Sequence, residues 1–368
     1  MRCLKFLVIF LVVPVFANAG YISGVSGTVS QGGSITISAS GGTGFGSGDS
    51  TPLFYDDFED GTPSASIGDP KIGSWIDDSD AVYSTSDAIS GSQSRYDATC
   101  ASTSCGIIQM DDFTGDKYYM SWWIRTNDAN INYKIFQIWG NCGDPDFSNC
   151  TSPACGDYSP IIIWTEQGDW SFCYITTDQI TSAIGDCSDQ SNIDPDMDIT
   201  DGNWHFIEAI VEQSSPDTAD GNVTIRADGV TRWERLNTPT RYQSIAHWSR
   251  FILGEGTFTG TSTPVWVDDA YLNDSWARIA IGASQTYSDN TVLSIFPASS
   301  WADGLVTASA NVGQFTGTAY LWVIDADNTP SDQDEGTAGY QGFEITIGES
   351  PSGGSSTLSG CIISGGIQ

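Results

Sequence analysis

Hydrolysis of a glycosidic bond needs two carboxyl groups about 5–10 Å apart, and where one strand carries both, alternate positions put them on one face. Glu166 and Asp169 fall at the wrong interval, and Gly168 between them favours a turn. Glu208 and Glu212 share a strand face, but the alternate position between them is Ile210. Neither pair favours a hydrolase. Elimination next to a uronate asks for a different set: a base, a proton donor and a cation against the sugar carboxylate. His247 stands close to Arg241, Tyr242 and Arg250, so His247, Tyr242 and Arg250 are the catalytic candidates for that chemistry. Arg226, Arg232, Arg235, Arg241 and Arg250 are the main basic concentration. They could grip an anionic sugar by bidentate contacts or pair with the chain's own carboxylates, the reading we prefer. A role without catalysis is stacking of sugar rings on aromatic side chains. Trp122 and Trp123 are adjacent, so on a strand one faces inward and one outward. With Trp139, Trp164 and Trp170 on neighbouring expected strands, they form the candidate ligand platform, core packing being the competing role. Asp194, Asp196 and Asp198 have the one-three-five spacing of a calcium loop, but Ile199 stands where Gly is required and His205 where Glu is required. That motif is excluded.

These residues belong to a chain of 368 with 46 Asp and Glu against 13 Lys and Arg, a formal charge of −33. Nucleic acid and anionic membrane surfaces both call for clustered cations, so neither is an expected partner. The same field repels polyanionic glycans, which makes a neutral extracellular carbohydrate the expected ligand. Abundant Gly and aromatics with only 16% charged residues favour short strands and turns. Arg2 and Lys5, the apolar run after them and Ala17-Asn18-Ala19 read as a signal peptide over residues 1–19. The apolar run is too short for a membrane span, so a secreted protein without membrane insertion is expected. Cys3 would leave with the leader, and export makes disulfides expected among the remaining cysteines. Cys100 and Cys105 form a plausible local bridge. Cys142, Cys150, Cys155, Cys173 and Cys187 are odd in number, so one stays free, pairs with Cys361 or pairs between chains. No His lies among them, which argues against zinc. Oligomeric state stays open.

Alternation at Val25, Val29, Ile35 and Ile37 gives two strands at the start of the mature chain, and further strands fall at 305–310, 319–325 and 343–347. Ser26-Gly27-Thr28-Val29, Gly33-Ser34-Ile35-Thr36-Ile37 and Gly44-Phe45-Gly46 resemble the opening of an IPT/TIG-type immunoglobulin-like domain. Thr318-Ala319-Tyr320-Leu321-Trp322-Val323-Ile324-Asp325 resembles its later half. The resemblance implies one Ig-like module split into residues 20–52 and 286–348, the competing reading being two incomplete β segments. Between them, residues 53–285 hold strand candidates at 117–126, 133–139, 160–165, 170–175, 204–213, 223–227 and 250–255. Tyr119-Met120-Ser121-Trp122-Trp123-Ile124-Arg125 and Asp201-Gly202-Asn203-Trp204-His205-Phe206-Ile207-Glu208 are similar to the concanavalin A-like jelly roll of lectins, laminin G modules, glucanases and polysaccharide lyases. The fold class is therefore all-β, a jelly-roll β-sandwich inserted into a split Ig-like β-sandwich, followed by a flexible tail at 349–368.

The jelly-roll resemblance implies a structural role for His205 and a structural Ca²⁺ held by Glu59, after Phe58, and by Asp268 in the last strand, with Asp57 and Asp269 as alternates. The expected function is non-catalytic binding of extracellular carbohydrate or of a surface. The alternatives are a polysaccharide lyase built on His247, Tyr242 and Arg250, and a structural or adhesive subunit joined through the tail and Cys361.

Overall fold

The computed structural model describes residues 20–40, 44–48, 51–77, 81–97, 108–110, 115–127, 132–140, 161–166, 169–174, 199, 201–215, 218–238, 240, 248–255, 264–332 and 339–348. The leader, the tail, Cys100, Cys105, Tyr242 and His247 lie outside these residues.

Strand-forming alternation is clearest in β13 (Gly221–Ala227), which buries Val223, Ile225 and Ala227 and half-buries Asn222, Thr224 and Arg226 between them. Asp228 and Gly229, at φ 51° and 74°, turn the chain into β14 (Val230–Thr238). Two successive left-handed residues match the twist of a tight hairpin, and Asp-Gly is the pair best able to adopt them.

This hairpin edges an eight-stranded sheet ordered β14, β13, β12 (His205–Glu212), β8 (Lys117–Thr126), β16 (Val265–Asn273), β6 (Ser94–Asp97) and β5 (Val82–Ser84), with β3 (Phe54–Asp56) also paired to β16. Facing it is a six-stranded sheet ordered β11 (Asp169–Tyr174), β10 (Ile161–Glu166), β9 (Asn132–Gly140), β15 (Trp248–Glu255), β7 (Ile108–Met110) and β4 (Ile76–Asp77). Trp122, Ile207 and Ile225 from the first sheet meet Phe136, Ile138, Phe251 and Leu253 from the second in one apolar core. The chain is all-β, and these are antiparallel sheets packed as a sandwich.

A second sandwich is built from chain on both sides of the first. One sheet runs β1 (Ile22–Gly27), β2 (Ser34–Ala39), β20 (Leu305–Ser309), β19 (Ala298–Ala302), and the other β18 (Ser294–Phe296), β17 (Arg278–Gly282), β21 (Thr318–Ile324), β22 (Phe343–Thr346). Ser34 to Ser38 pair with Leu305 to Ser309, so strands from the two flanks share one sheet. The sequence reading places β17 in the insertion; the structure pairs it with β18 and β21 instead. Ile279 and Ile281 are the cause, since both bury in the second sandwich's core with Ile35, Ile37, Val306 and Leu321. The chain therefore leaves the first sandwich between Asn273 and Arg278 rather than at residue 285.

A third apolar core joins the two. Tyr119, Trp123, Phe206, Ile210 and Tyr271 on the outer face of the eight-stranded sheet pack against Ala280, Leu293, Ile295, Trp322 and Ile324 of the second sandwich. The central strands β8, β12 and β16 of the eight-stranded sheet are thus covered on both faces, and the six-stranded sheet lies on the side away from the second sandwich.

Candidate functional site

Trp139, Trp164, Trp170 and Arg250 all fall on the six-stranded sheet. Arg250 on β15 is the register partner of Trp139 on β9. Trp164 lies on β10, and Trp170 on β11 opposite Thr165. One rung of matching parity along, Ile252 pairs with Gln137 on one side and Gln109 on the other. The sheet gives one facing to residues that the sequence divided between rival readings, Arg250 from the lyase set and Trp139 and Trp164 from the platform, while Trp170, paired with Thr165, takes the other. Gln109 and Gln137 escaped the sequence reading, and their signal was an amide inside the otherwise apolar runs Ile108-Gln109-Met110 and Ile135-Phe136-Gln137-Ile138.

Trp122 and Trp123 do not join them. Alternation does send the two rings to opposite faces of β8, but both are buried, at 0% and 4% exposure. Trp122 packs on Phe136 in the sandwich core with ring centroids 5.4 Å apart, and Trp123 packs on Phe206 at 5.2 Å in the core beneath the second sandwich. Neither presents a ring to a ligand. The physical reason is the second sandwich, which covers the face that would otherwise meet water.

The carboxylates named for calcium gather where the chain enters and leaves the first sandwich. β3 ends at Asp56, whose Oδ1 accepts from the Phe58 N–H at 2.9 Å, and Phe58 turns the chain at φ 56°. In β16 the ladder to β8 shifts register between Asp268 and Tyr271, and Asp269 stands at φ 46°. This irregularity breaks strand alternation, so Asp268 and Asp269 are both buried, where alternation puts one of them outward. Asp57 is buried too.

Residues 89–93 reach across the cluster. Asp268 Oδ2 accepts from the N–H groups of Ile89 and Ser90 at 3.0 and 3.2 Å, and Asp269 Oδ1 from the Ser90 hydroxyl at 3.0 Å. Glu59 Oε1 accepts from the N–H groups of Ser92 and Gln93 at 2.7 Å each, and its Oε2 from the Ser92 hydroxyl at 2.9 Å. Glu59 and Asp268 therefore grip opposite ends of one loop. The Lys71 ammonium sits 2.6 Å from Asp57, and the second sandwich contributes Gln31, whose Nε2 donates to Asp57 Oδ2 and to Asn311 Oδ1 at 3.1 Å each. Lys71 and Gln31 were not legible as members of this site, because they approach it from other parts of the chain.

Burial dominates the electrostatics. It pushes Asp269 up to about 7, helped by the charge on Asp57. It also raises Asp56 to about 7 against the Phe58 N–H. Asp268 is driven well above the usual carboxylate range by burial and then by its neighbour Asp269, despite its backbone donors. Asp56 Oδ2 and Asp269 Oδ2 are buried without a hydrogen-bond partner. Oxygen donors in excess of cations have the right chemistry for a hard ion, and an orphaned buried oxygen is one such an ion would take. The ligand set is not closed, however: among the described residues no three His, Cys, Asp or Glu side chains are grouped to hold a metal.

His205 lies at the start of β12 between two acids, Nδ1 2.7 Å from Asp228 Oδ2 and Nε2 3.1 Å from Asp201 Oδ1. Burial acts to lower its pKa, but the hydrogen bonds to Asp228 and Asp201 outweigh it and the net shift is upward. The side chain ties the strand's entry to the β13–β14 turn.

The chain matches no protein-family model. No curated protein sequence matches it. Among solved structures it is similar to an endo-β-1,4-glucuronan lyase from the fungus Trichoderma reesei, at 15% identity and TM-score 0.41 over 61% of this chain and 95% of that one. It is also similar to the cellulose-induced protein Cip1, at 16% identity and TM-score 0.39 over 60% and 97% of the two chains. A marine alginate lyase from Aplysia kurodai aligns at 12% identity and TM-score 0.37 over 52% and 86%. At these values no residue correspondences are assigned.

Proposed function

We propose that the chain is a secreted, non-catalytic carbohydrate-binding protein that carries its ligand on the six-stranded sheet. The supporting observation is the rung that sets Arg250 beside Trp139, with Trp164 at a position of the same facing on the next strand. Aromatic and guanidinium groups interleaved over adjacent strands suit stacking on sugar C–H faces together with hydrogen bonds to hydroxyls. The platform named from the sequence thereby contracts to Trp139 and Trp164, because Trp170 pairs with Thr165 and so takes the opposite face from Trp164. The formal charge of −33 favours a neutral glycan over a polyanionic one. In this reading the first sandwich is a concanavalin A-like jelly roll, the split one an IPT/TIG-type Ig-like module, and residues 1–19 the export signal.

A glycan array carrying neutral and uronate glycans, run beside an absorbance assay for unsaturated uronates, tests the reading. The expected result is binding to neutral glycans without product, weakened at least tenfold by Trp139→Ala. An unsaturated product abolished by His247→Ala would overturn it in favour of a lyase, with Tyr242 as proton donor and Arg250 against the uronate carboxylate. A structural Ca²⁺ at the carboxylate junction belongs to the same proposal, supported by the orphaned oxygen of Asp269. Calcium is expected to raise the melting temperature of the wild-type chain. A Glu59→Ala/Asp268→Ala variant that keeps the whole of that shift would remove the metal from these residues.

A further inference from the structure

A cleft of about 290 Å³ opens where the β13–β14 hairpin meets the second sandwich, on the eight-stranded sheet and not on the six-stranded one. Its lining includes Arg226, Thr231, Glu234 and Leu236 from the hairpin, Trp276 from the link between the sandwiches, and Asn328 from the turn after β21. Arg226 is the register partner of Thr231, and Glu234 lies further along the same ladder. In a chain with 46 acidic and 13 basic residues, a cation is expected to find a carboxylate. Lys71, Lys117 and Arg125 do so. Arg226 forms no ion pair among the described residues, although Glu234 shares its cleft, and its Nε is buried without an acceptor. The guanidinium and the carboxylate are presented separately to the same space.

The other walls complete a pattern. Leu236 is 56% exposed, an apolar side chain left uncovered at the rim. Trp276 is fixed by its indole N–H, which donates to the Val211 carbonyl at 3.1 Å. Asn328 is fixed through its Oδ1, which accepts from Arg278 at 2.8 Å, leaving its N–H donors for another partner. Donors, one anionic acceptor and apolar walls recognise vicinal hydroxyls and C–H faces together. A uronate would gain Arg226 but meet the like charge of Glu234. The volume falls just below the range of small-ligand pockets, roughly 300–1,000 Å³, which suits a single sugar unit.

We propose that this cleft is a second carbohydrate site, taking a neutral sugar unit at the junction of the two sandwiches. It rests on the carbohydrate reading above, but not on the six-stranded sheet being the place where sugar binds. The test is hydrogen exchange on the full chain with and without cellohexaose, laminarihexaose, mannohexaose or xylohexaose, with alginate oligosaccharide as the anionic comparison. Affinities come from calorimetry. Amides of residues 221–238 should slow with at least one neutral hexaose. Leu236→Asp, at an exposed position that leaves folding intact, and Arg226→Gln should each weaken that site at least tenfold, while Trp139→Ala leaves it unchanged. Protection confined to β9 and β10, lost in Trp139→Ala and kept in Leu236→Asp, would overturn the second site and leave the first. Protection of residues 221–238 by alginate oligosaccharide alone would overturn its neutral specificity. No protection by any of these sugars would overturn both readings.

Discussion

Asp56, Asp269 and His205 tie this chain's stability to pH in one direction, as buried Asp268 does too. Asp56 and Asp269 are raised to about 7, chiefly by burial. Each therefore favours the fold most below its unfolded value of about 3.9, and that contribution is lost as pH rises through about 7. His205 is raised through Asp228 and Asp201 against the opposing effect of burial. Its contribution is complete below about 6.5 and is likewise lost as pH climbs through the folded value. The expected outcome is a chain that withstands urea better at pH 5 than at pH 8 in EDTA, with the difference narrowed by roughly 1–4 kcal/mol in Asp269→Asn. Flat or rising stability over that range would show that these acids ionise in the fold without penalty. Calcium separates the readings further, since a metal at the junction would make Asp269→Asn lower the melting temperature in CaCl₂.

Strand-scale behaviour divides along the line between one covered face and two. In β13 the alternation of Val223, Ile225 and Ala227 with Asn222, Thr224 and Arg226 is visible in the residues themselves, because only one face is fully buried. β8, β12 and β16 are buried along almost their whole length. Adjacent tryptophans there look like one core residue and one surface residue until the covering sandwich is in place. Trp123→Ala is accordingly expected to cost about 3–5 kcal/mol, as truncation of a large core side chain does, while leaving sugar affinity unchanged in the surviving fold. Loss of binding without loss of stability would restore Trp123 to the ligand platform. The hairpin turn makes a second prediction. A Cβ added at Gly229, where φ is 74°, would lie 2.7 Å from both the Asn290 carbonyl oxygen and Thr291 Cα. Gly229→Ala should destabilise by roughly 1–3 kcal/mol in urea unfolding, because the clash is with backbone. The carboxylate junction was legible as acids near the two ends of an insertion. Its geometry was not, because the register shift at Asp268 and the approach of Gln31 depend on contacts between distant parts of the chain.

Taken whole, the two sandwiches share too much apolar surface to behave as separate units. Trp322 is fully buried in the shared core and also donates from its indole N–H to the Tyr340 carbonyl at 2.9 Å. The Arg278 guanidinium lies 3.9 Å from the Tyr119 ring centre and donates to the Tyr287 hydroxyl at 2.9 Å, while Tyr119 donates to buried Glu208 at 2.9 Å. Polar and apolar contacts thus cross the same boundary, and the full chain should unfold in one calorimetric transition. Two resolved transitions, with Trp322→Ala moving one alone, would show independent units. The pairing of β2 with β20 puts strands from both flanks of the chain in one sheet, and those strands were open to sequence reading through their alternation. The placement of β17 was not, since Ile279 and Ile281 suit either core equally well.

The pairing of Ser34 with Ser309 also sets an order of events as the chain is made. β1 and β2 emerge early, yet the neighbour that closes their open edge arrives only after the whole first sandwich has passed. Ladders within the first sandwich close over shorter stretches of chain and form sooner, as loop-closure entropy favours. Until Leu305 arrives, the edge of β2 is a free template with Ile35 and Ile37 uncovered, the kind of strand that recruits another chain. Nascent or truncated forms ending before β20 are therefore the species most exposed to aggregation, and the flanking sandwich is the last part to gain its final shape.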